Sequence, residues 1–121
     1  PVAGLTSMGA SHVVLKPGAW SSQRHWHSAE DELVVMLAGE AVLVEDTEET
    51  VIRPGDVVAW AAGVQNGHHL QNRSETDCVF VAIGAGDRQQ DSGEYPDIDM
   101  VFDAHGYAHK DGTRYAAKRT P

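Results

Sequence analysis

Short apolar runs separated by compact turn signals constrain this chain more than any other feature. Ser11 to Leu15 is followed by Lys16-Pro17-Gly18, Leu33 to Leu37 by Ala38-Gly39-Glu40, Ala41 to Val44 by the acidic stretch Glu45 to Glu49, and Thr50 to Arg53 by Pro54-Gly55-Asp56. Val57 to Trp60, His68 to Gln71 and Cys78 to Ile83 continue the series. Runs this short, rich in β-branched residues and bounded by Gly, Pro, Asp and Asn, read as strands. No convincing amphipathic helix precedes residue 84. The pattern predicts an antiparallel all-β domain and leaves a sandwich and a closed barrel both open. Residues 84–97 are polar, carry Gly and Pro, and read as a long loop. Ile98 to Phe102 reads as a short strand that packs over the body of the domain or onto a second subunit.

Histidines stand at the edges of these runs in a spacing that matters. In Arg24-His25-Trp26-His27 an extended backbone puts both imidazoles on one face and Trp26 on the other. Glu32 then opens the apolar strand Leu33 to Leu37, and His68 and Asn72 flank another short run. Taken singly, a His-x-His pair or an acidic loop residue carries little information. Together they suggest one mononuclear metal site fed from neighbouring strands.

The stretch Gly18 to Gly39 reads G-x6-H-x-H-x4-E-x6-G, and Gly55 to Asn72 reads G-x7-G-x4-H-x3-N. These resemble the two signature motifs of the cupin superfamily. The resemblance covers residues 11–84 and implies a double-stranded β-helix, a jelly-roll barrel whose mouth holds a metal. The whole chain, 1–121, is then a single cupin domain with a C-terminal extension at 85–121. By position, the implied metal ligands are His25, His27, Glu32 and His68. The usual proline of the second motif is replaced within Ala61-Ala62, and the loop Gly63 to Gly67 is longer than usual, which puts His68 in competition with His69. The three-residue gap to Asn72 favours His68. The resemblance also implies a homodimer.

Three imidazoles and a carboxylate suit one divalent ion, with Fe, Mn, Ni and Zn all compatible. Such an ion with open positions can polarise a carbonyl oxygen, acidify bound water or bind dioxygen if redox-active. Cupins include dioxygenases, isomerases, lyases and plain binding proteins, so the resemblance does not choose a reaction. The expected function is a metal-dependent oxygenase or isomerase/lyase; the alternative is a non-catalytic metal- or ligand-binding sensor.

Charge narrows the partners. With 18 acidic and 9 basic residues the formal charge is −9, which repels phosphate backbones and anionic membranes. Neither nucleic acid nor a membrane is an expected partner; a small molecule is. The late basic cluster Lys110, Arg114, Lys118 and Arg119 lacks interleaved aromatics and reads as a solvated tail. Cys78, the single cysteine, lies in an apolar run and reads as a small hydrophobe, not a nucleophile, and with no disulfide framework the cytoplasm is the expected compartment.

Substrate chemistry follows from cation placement. Arg24 adjoins His25 and alternates away from it, while Arg53 and Arg73 fall in turns or at strand ends. A small neutral or singly anionic oxygenated metabolite is therefore expected, because multiply charged ligands need inward-facing cations. Val34 and Met36 share the face of Glu32 and, with Trp60, Leu70 and Phe80, are candidates to line the pocket. His69 is open to three roles: a donor behind the ligands, a general base after a local bulge, or a surface residue. Glu30 is a candidate acid or base at the barrel rim.

Overall fold

The computed structural model describes residues 4–115; the terminal positions, including Lys118 and Arg119 of the basic tail, lie outside the described residues. Eleven strands make up its regular structure: β1 (Met8–Leu15), β2 (Trp26–His27), β3 (Glu30–Ala38), β4 (Ala41–Val44), β5 (Glu49–Ile52), β6 (Val57–Trp60), β7 (His69–Gln71), β8 (Cys78–Gly86), β9 (Gly93–Tyr95), β10 (Met100–Asp103) and β11 (Gly106–Ala108). No α-helix occurs among the described residues, and hence no helix long and apolar enough to cross a membrane.

The strands form three antiparallel sheets, ordered β1-β8-β3-β6, β5-β4-β7 and β11-β10-β9-β2. In the first, β8 lies between β1 and β3, pairing Leu15 with Cys78 and Glu32 with Gly84. Alternation on β3 sends Val34 and Met36 inward and leaves Asp31 and Leu37 exposed. On β4, Ala41 and Leu43 are buried while Val42 and Val44 are only partly covered. The inward sets meet in a core of Leu15, Val34, Met36, Leu43, Ile52, Trp60, Leu70, Cys78 and Phe80. This is the all-β jelly-roll architecture that the turn-punctuated runs predict.

Gly39 shows why the turn after β3 needs glycine. Its φ is +73°, and a Cβ there would stand 2.5 Å from the Asp77 carbonyl oxygen. The β3–β8 register slips between Met36 and Ala38, just before that turn.

Two expectations need correction. Residues 84–97 are not one long loop: β8 continues through Gly86, and β9 forms at 93–95. The strand expected at Ile98 to Phe102 starts instead at Met100. The cause is a pairing that local sequence does not advertise. β9 joins β2, with Trp26 opposite Glu94 and His27 opposite Gly93, so the segment after the barrel adds strands to the very edge that carries the histidines. Gly93 permits the approach, since a side chain there would collide with the Trp26 carbonyl and the Phe102 ring.

Candidate metal centre

His25 and His27 reach the barrel interior from one extended segment. His25 forms an isolated antiparallel bridge with His68, its N–H donating to the His68 carbonyl at 3.4 Å and its carbonyl accepting the His68 N–H at 3.1 Å, which brings the imidazoles of the two motifs together. Glu32 arrives from β3, paired opposite Trp60 of β6. Donor atoms of His25, His27 and Glu32 all lie within 4.8 Å of one another. His68 stands outside that set of three, yet its Nε2 is 3.0 Å from Glu32 Oε1, and His27 Nε2 is 3.2 Å from the same oxygen.

Each imidazole is held from behind by its other nitrogen. His25 Nδ1 donates to the Gln23 carbonyl at 2.8 Å and His68 Nδ1 to the Asn66 carbonyl at 2.8 Å. His27 Nδ1 donates to Asp91 Oδ2 at 2.5 Å. With Nδ1 committed outward, Nε2 of each ring carries the free lone pair. The nitrogens of His25 and His27 with the Glu32 carboxylate fit a divalent ion, with His68 reaching the same carboxylate, and the donor chemistry admits Fe, Mn, Ni and Zn alike.

The electrostatics agree. Burial pushes the Glu32 carboxyl up, but His68 beside it, and His27 and His25 further off, outweigh burial whenever these imidazoles are protonated, so the group sits below its ordinary value. Burial pushes the His25 imidazole down, partly offset by the Gln23 carbonyl, favouring the neutral ligand form.

His68 is further fixed by Trp60, whose ring stacks on it at 3.7 Å with the planes 1° apart. The Trp60 indole N–H donates to Glu45 Oε2 at 3.1 Å, and Asn66 donates to the same oxygen at 2.7 Å. Glu45 therefore braces the ring behind His68, where its sequence context suggested only a hairpin tip. His69 faces elsewhere. Its Nδ1 donates to the Ser22 carbonyl at 2.7 Å and its Nε2 accepts from Gln71 at 2.9 Å, so both nitrogens are engaged. Asn72, 1 % exposed, donates to the carbonyls of Leu15 and Thr76 and ties the turn after β7.

Three cavities meet at this cluster. One of about 290 Å³ is the barrel interior, lined by His25, Glu32 and His68 together with Val34, Trp60, Leu70 and Phe80; His69 also borders it. Met36 does not line it and lies beneath in the core, 1 % exposed. A larger one of about 790 Å³ opens past His27, Glu30, Glu32, Arg88 and Asp91. Glu30 Oε2 is 3.6 Å from His27 Nδ1. The third, about 350 Å³, is walled by His25, His27, Tyr95, Phe102 and Tyr107. Asp91, Tyr95, Phe102 and Arg88 escaped the sequence reading; only the acidic and aromatic side chains scattered through residues 85–107 hinted at them. Arg24 turns away as expected, donating to both Asp97 carboxylate oxygens at 2.9 and 2.8 Å.

An antiparallel barrel with histidines and a carboxylate gathered at its mouth defines a class of small-molecule-binding β-barrels. The cupin domain family matches residues 11–84, and the chain belongs to that family. Among solved structures it resembles a cupin-superfamily sugar phosphate isomerase from Silicibacter pomeroyi, with 40 % identity and a TM-score of 0.84 over 94 % of this chain and 74 % of that one. It also resembles a putative sugar phosphate isomerase from Acidithiobacillus ferrooxidans (25 % identity, TM-score 0.80, 95 % and 75 % covered). A predicted oxalate decarboxylase from Thermotoga maritima is more distant (28 % identity, TM-score 0.58, 64 % of each chain covered). A comparison with curated proteins returned no match.

Proposed function

We propose that this protein is a metal-dependent isomerase of a small hydroxy-carbonyl compound, neutral or singly anionic, with His25, His27, Glu32 and His68 as the metal ligands. The observation that carries the reading is the pair of carboxylates in one cavity: Glu32 lies among the histidine nitrogens, while Glu30, two residues along the same strand face, faces the same space without belonging to that set. A divalent ion held there would act as a Lewis acid toward a carbonyl oxygen and its neighbouring hydroxyl.

The chain's own groups supply the rest. Glu30 takes the proton from the hydroxyl-bearing carbon beside the carbonyl and returns it to the carbonyl carbon, while the hydroxyl proton passes through solvent to the old carbonyl oxygen, so carbonyl and hydroxyl exchange places with no net gain or loss of atoms. Val34, which borders both the inner cavity and the one holding Glu30, gives with Leu33, Ala82 and Ile83 an apolar wall that limits water around the reacting carbons. His69, with both nitrogens occupied, positions the backbone at Ser22 instead of handling the proton. The kinship with a sugar phosphate isomerase favours isomerisation over the lyase and oxygenase readings. A homodimer is inferred from family resemblance; among the described residues β1 and β6 are the edge strands of one of the two four-stranded sheets. A single-chain mass by sedimentation would remove it.

The test is solvent-deuterium incorporation. Metal-loaded protein incubated with aldoses, ketoses and their monophosphates in D₂O should place deuterium beside the carbonyl, and Glu30→Gln should abolish this by about 100-fold or more while metal content is unchanged. Stoichiometric ligand binding without exchange would instead support the alternative, a non-catalytic binding or sensor cupin.

A further inference from the structure

Among the described residues, Arg88 is the only lysine or arginine lining any of the three cavities that meet the histidine cluster. Its guanidinium is placed with care. It lies across Gly9 of β1, where a Cβ would come within 2.6 Å of the guanidinium nitrogen, so glycine makes the room. The contact with Glu30 is long, 3.5 Å from Nε to Oε1, and the side chain remains 66 % exposed. A loose pair of this kind leaves most of the donor fork unspent. By contrast Arg24 spends its fork on Asp97 and Asp46, and Arg73 spends its on Glu49.

Arg88 also stands on a boundary. On one side is the cavity holding His27, Glu30, Glu32 and Asp91. On the other is a compartment of about 540 Å³ lined by Leu5, Thr6, Ser7, Gly86, Asp87, Arg88 and Gln89. Thr6, Ser7, Arg88 and Gln89 bring hydroxyl, guanidinium and amide donors to one place. The acid present, Asp87, accepts the backbone N–H of Gln89 at 2.9 Å and so closes its own turn. In a chain of net charge −9, such a compartment is a local site where an oxyanion gains donors and a positive charge together.

We propose that the compartment around Arg88, Thr6, Ser7 and Gln89 is an oxyanion subsite that holds the phosphate of a phosphomonoester substrate while its hydroxy-carbonyl end reaches toward Glu30 and the histidine cluster. This rests on the isomerase reading and revises its substrate charge, since a phosphomonoester carries about −1.5 to −2 near pH 7 where that reading took a neutral or singly anionic compound. Arg24, Arg53 and Arg73 alone would disfavour phosphate esters; the exposed Arg88 supplies the missing cation. Arg fits the task better than Lys because its planar fork engages two phosphate oxygens at once.

Calorimetric titration with inorganic phosphate, acetate, ribose and ribose 5-phosphate separates the possibilities. Wild-type protein should bind ribose 5-phosphate at least tenfold tighter than ribose and should bind phosphate but not acetate. Arg88→Ala should erase the preference for the ester, Arg88→Lys should keep part of it, and Gln89→Leu should weaken it with the fold and metal content intact. Equal affinity of wild type and Arg88→Ala for ribose 5-phosphate would overturn the subsite, as would acetate competing as well as phosphate, which would mark a carboxylate site. The subsite and the isomerase reading fail separately. Arg88-dependent phosphate binding with no deuterium exchange on any sugar supports the subsite and removes the isomerase, whereas exchange on free and phosphorylated sugars that is equal in wild type and Arg88→Ala keeps the isomerase and removes the subsite.

Discussion

A histidine becomes a usable ligand only when its second nitrogen is spoken for, and here Gln23, Asn66 and Asp91 do that for His25, His68 and His27. The contrast between His68 and His69 is equally local. Adjacent residues on an extended chain face opposite ways, so one imidazole reaches Glu32 while the other is held by Ser22 and Gln71. Both variants at these positions should lower stability, and for different reasons. His25→Ala and His68→Ala should lose metal and with it the binding contribution to folding, about 2.7 kcal/mol for an ion present at a hundredfold its dissociation constant. His69→Ala removes the hydrogen bonds to the Ser22 carbonyl and the Gln71 amide, worth about 0.5–1.5 kcal/mol each, but should leave metal content unchanged. Metal analysis beside thermal melts distinguishes them. Full occupancy in His68→Ala with an empty site in His69→Ala would show that the second motif is shifted by one residue.

Strands decide how much of the site could be read ahead. The barrel strands carry their own signatures: β4 and β6 run over the residues that their apolar runs mark, and β3 sets Glu32 in phase with Val34 by simple alternation. Beyond Ile83 only the run Ile98 to Phe102 marks a strand, and β10 forms two residues later than that run begins. β9 is three residues long, and its place beside β2 depends on Gly93 yielding to the Trp26 carbonyl, a long-range fit that no local period encodes. Asp91 was invisible for the same reason, although it is buried, accepts from His27 Nδ1, and also takes the Ala29 N–H at 3.0 Å. The segment after the barrel thus braces the histidine cluster from outside. Asp91→Asn makes the point testable, because an amide can keep the Ala29 bond while its NH₂ faces His27 Nδ1 and favours the tautomer with Nε2 protonated. Metal affinity should fall about 10- to 100-fold with the melting temperature of metal-free protein little changed. Unchanged affinity would reduce Asp91 to a loop anchor.

At the scale of the whole molecule the fold buries imidazoles near its centre and keeps many carboxylates ion-paired at its surface, and the two populations give stability the same dependence on pH. Burial lowers the His69 imidazole below its ordinary value near 6.5, partly against the Ser22 carbonyl, and does the same to His25. The unfolded chain then binds more protons than the folded one between the lowered and the ordinary value, so stability is complete above about pH 6.5 and declines as pH falls through that window. Carboxylates extend the trend to lower pH. The Asp103 carboxyl, held by the Arg114 guanidinium and the His105 N–H, is drawn down to about 2, and the Asp97 carboxyl is lowered by its bond from Arg24. Their contribution is present above the ordinary carboxylate range and disappears as pH falls toward 2. Metal-free protein should therefore melt at progressively lower temperature from pH 7 to 5, before any carboxylate in the unfolded chain titrates, and a second decline should follow below about pH 4. His69→Gln, which removes one of the buried imidazoles, should flatten the first decline and leave the second unchanged. If the variant and the wild type lose stability in parallel between pH 7 and 5, protonation of His69 does not contribute to that loss, and His25, the other imidazole that burial lowers, becomes the group to substitute.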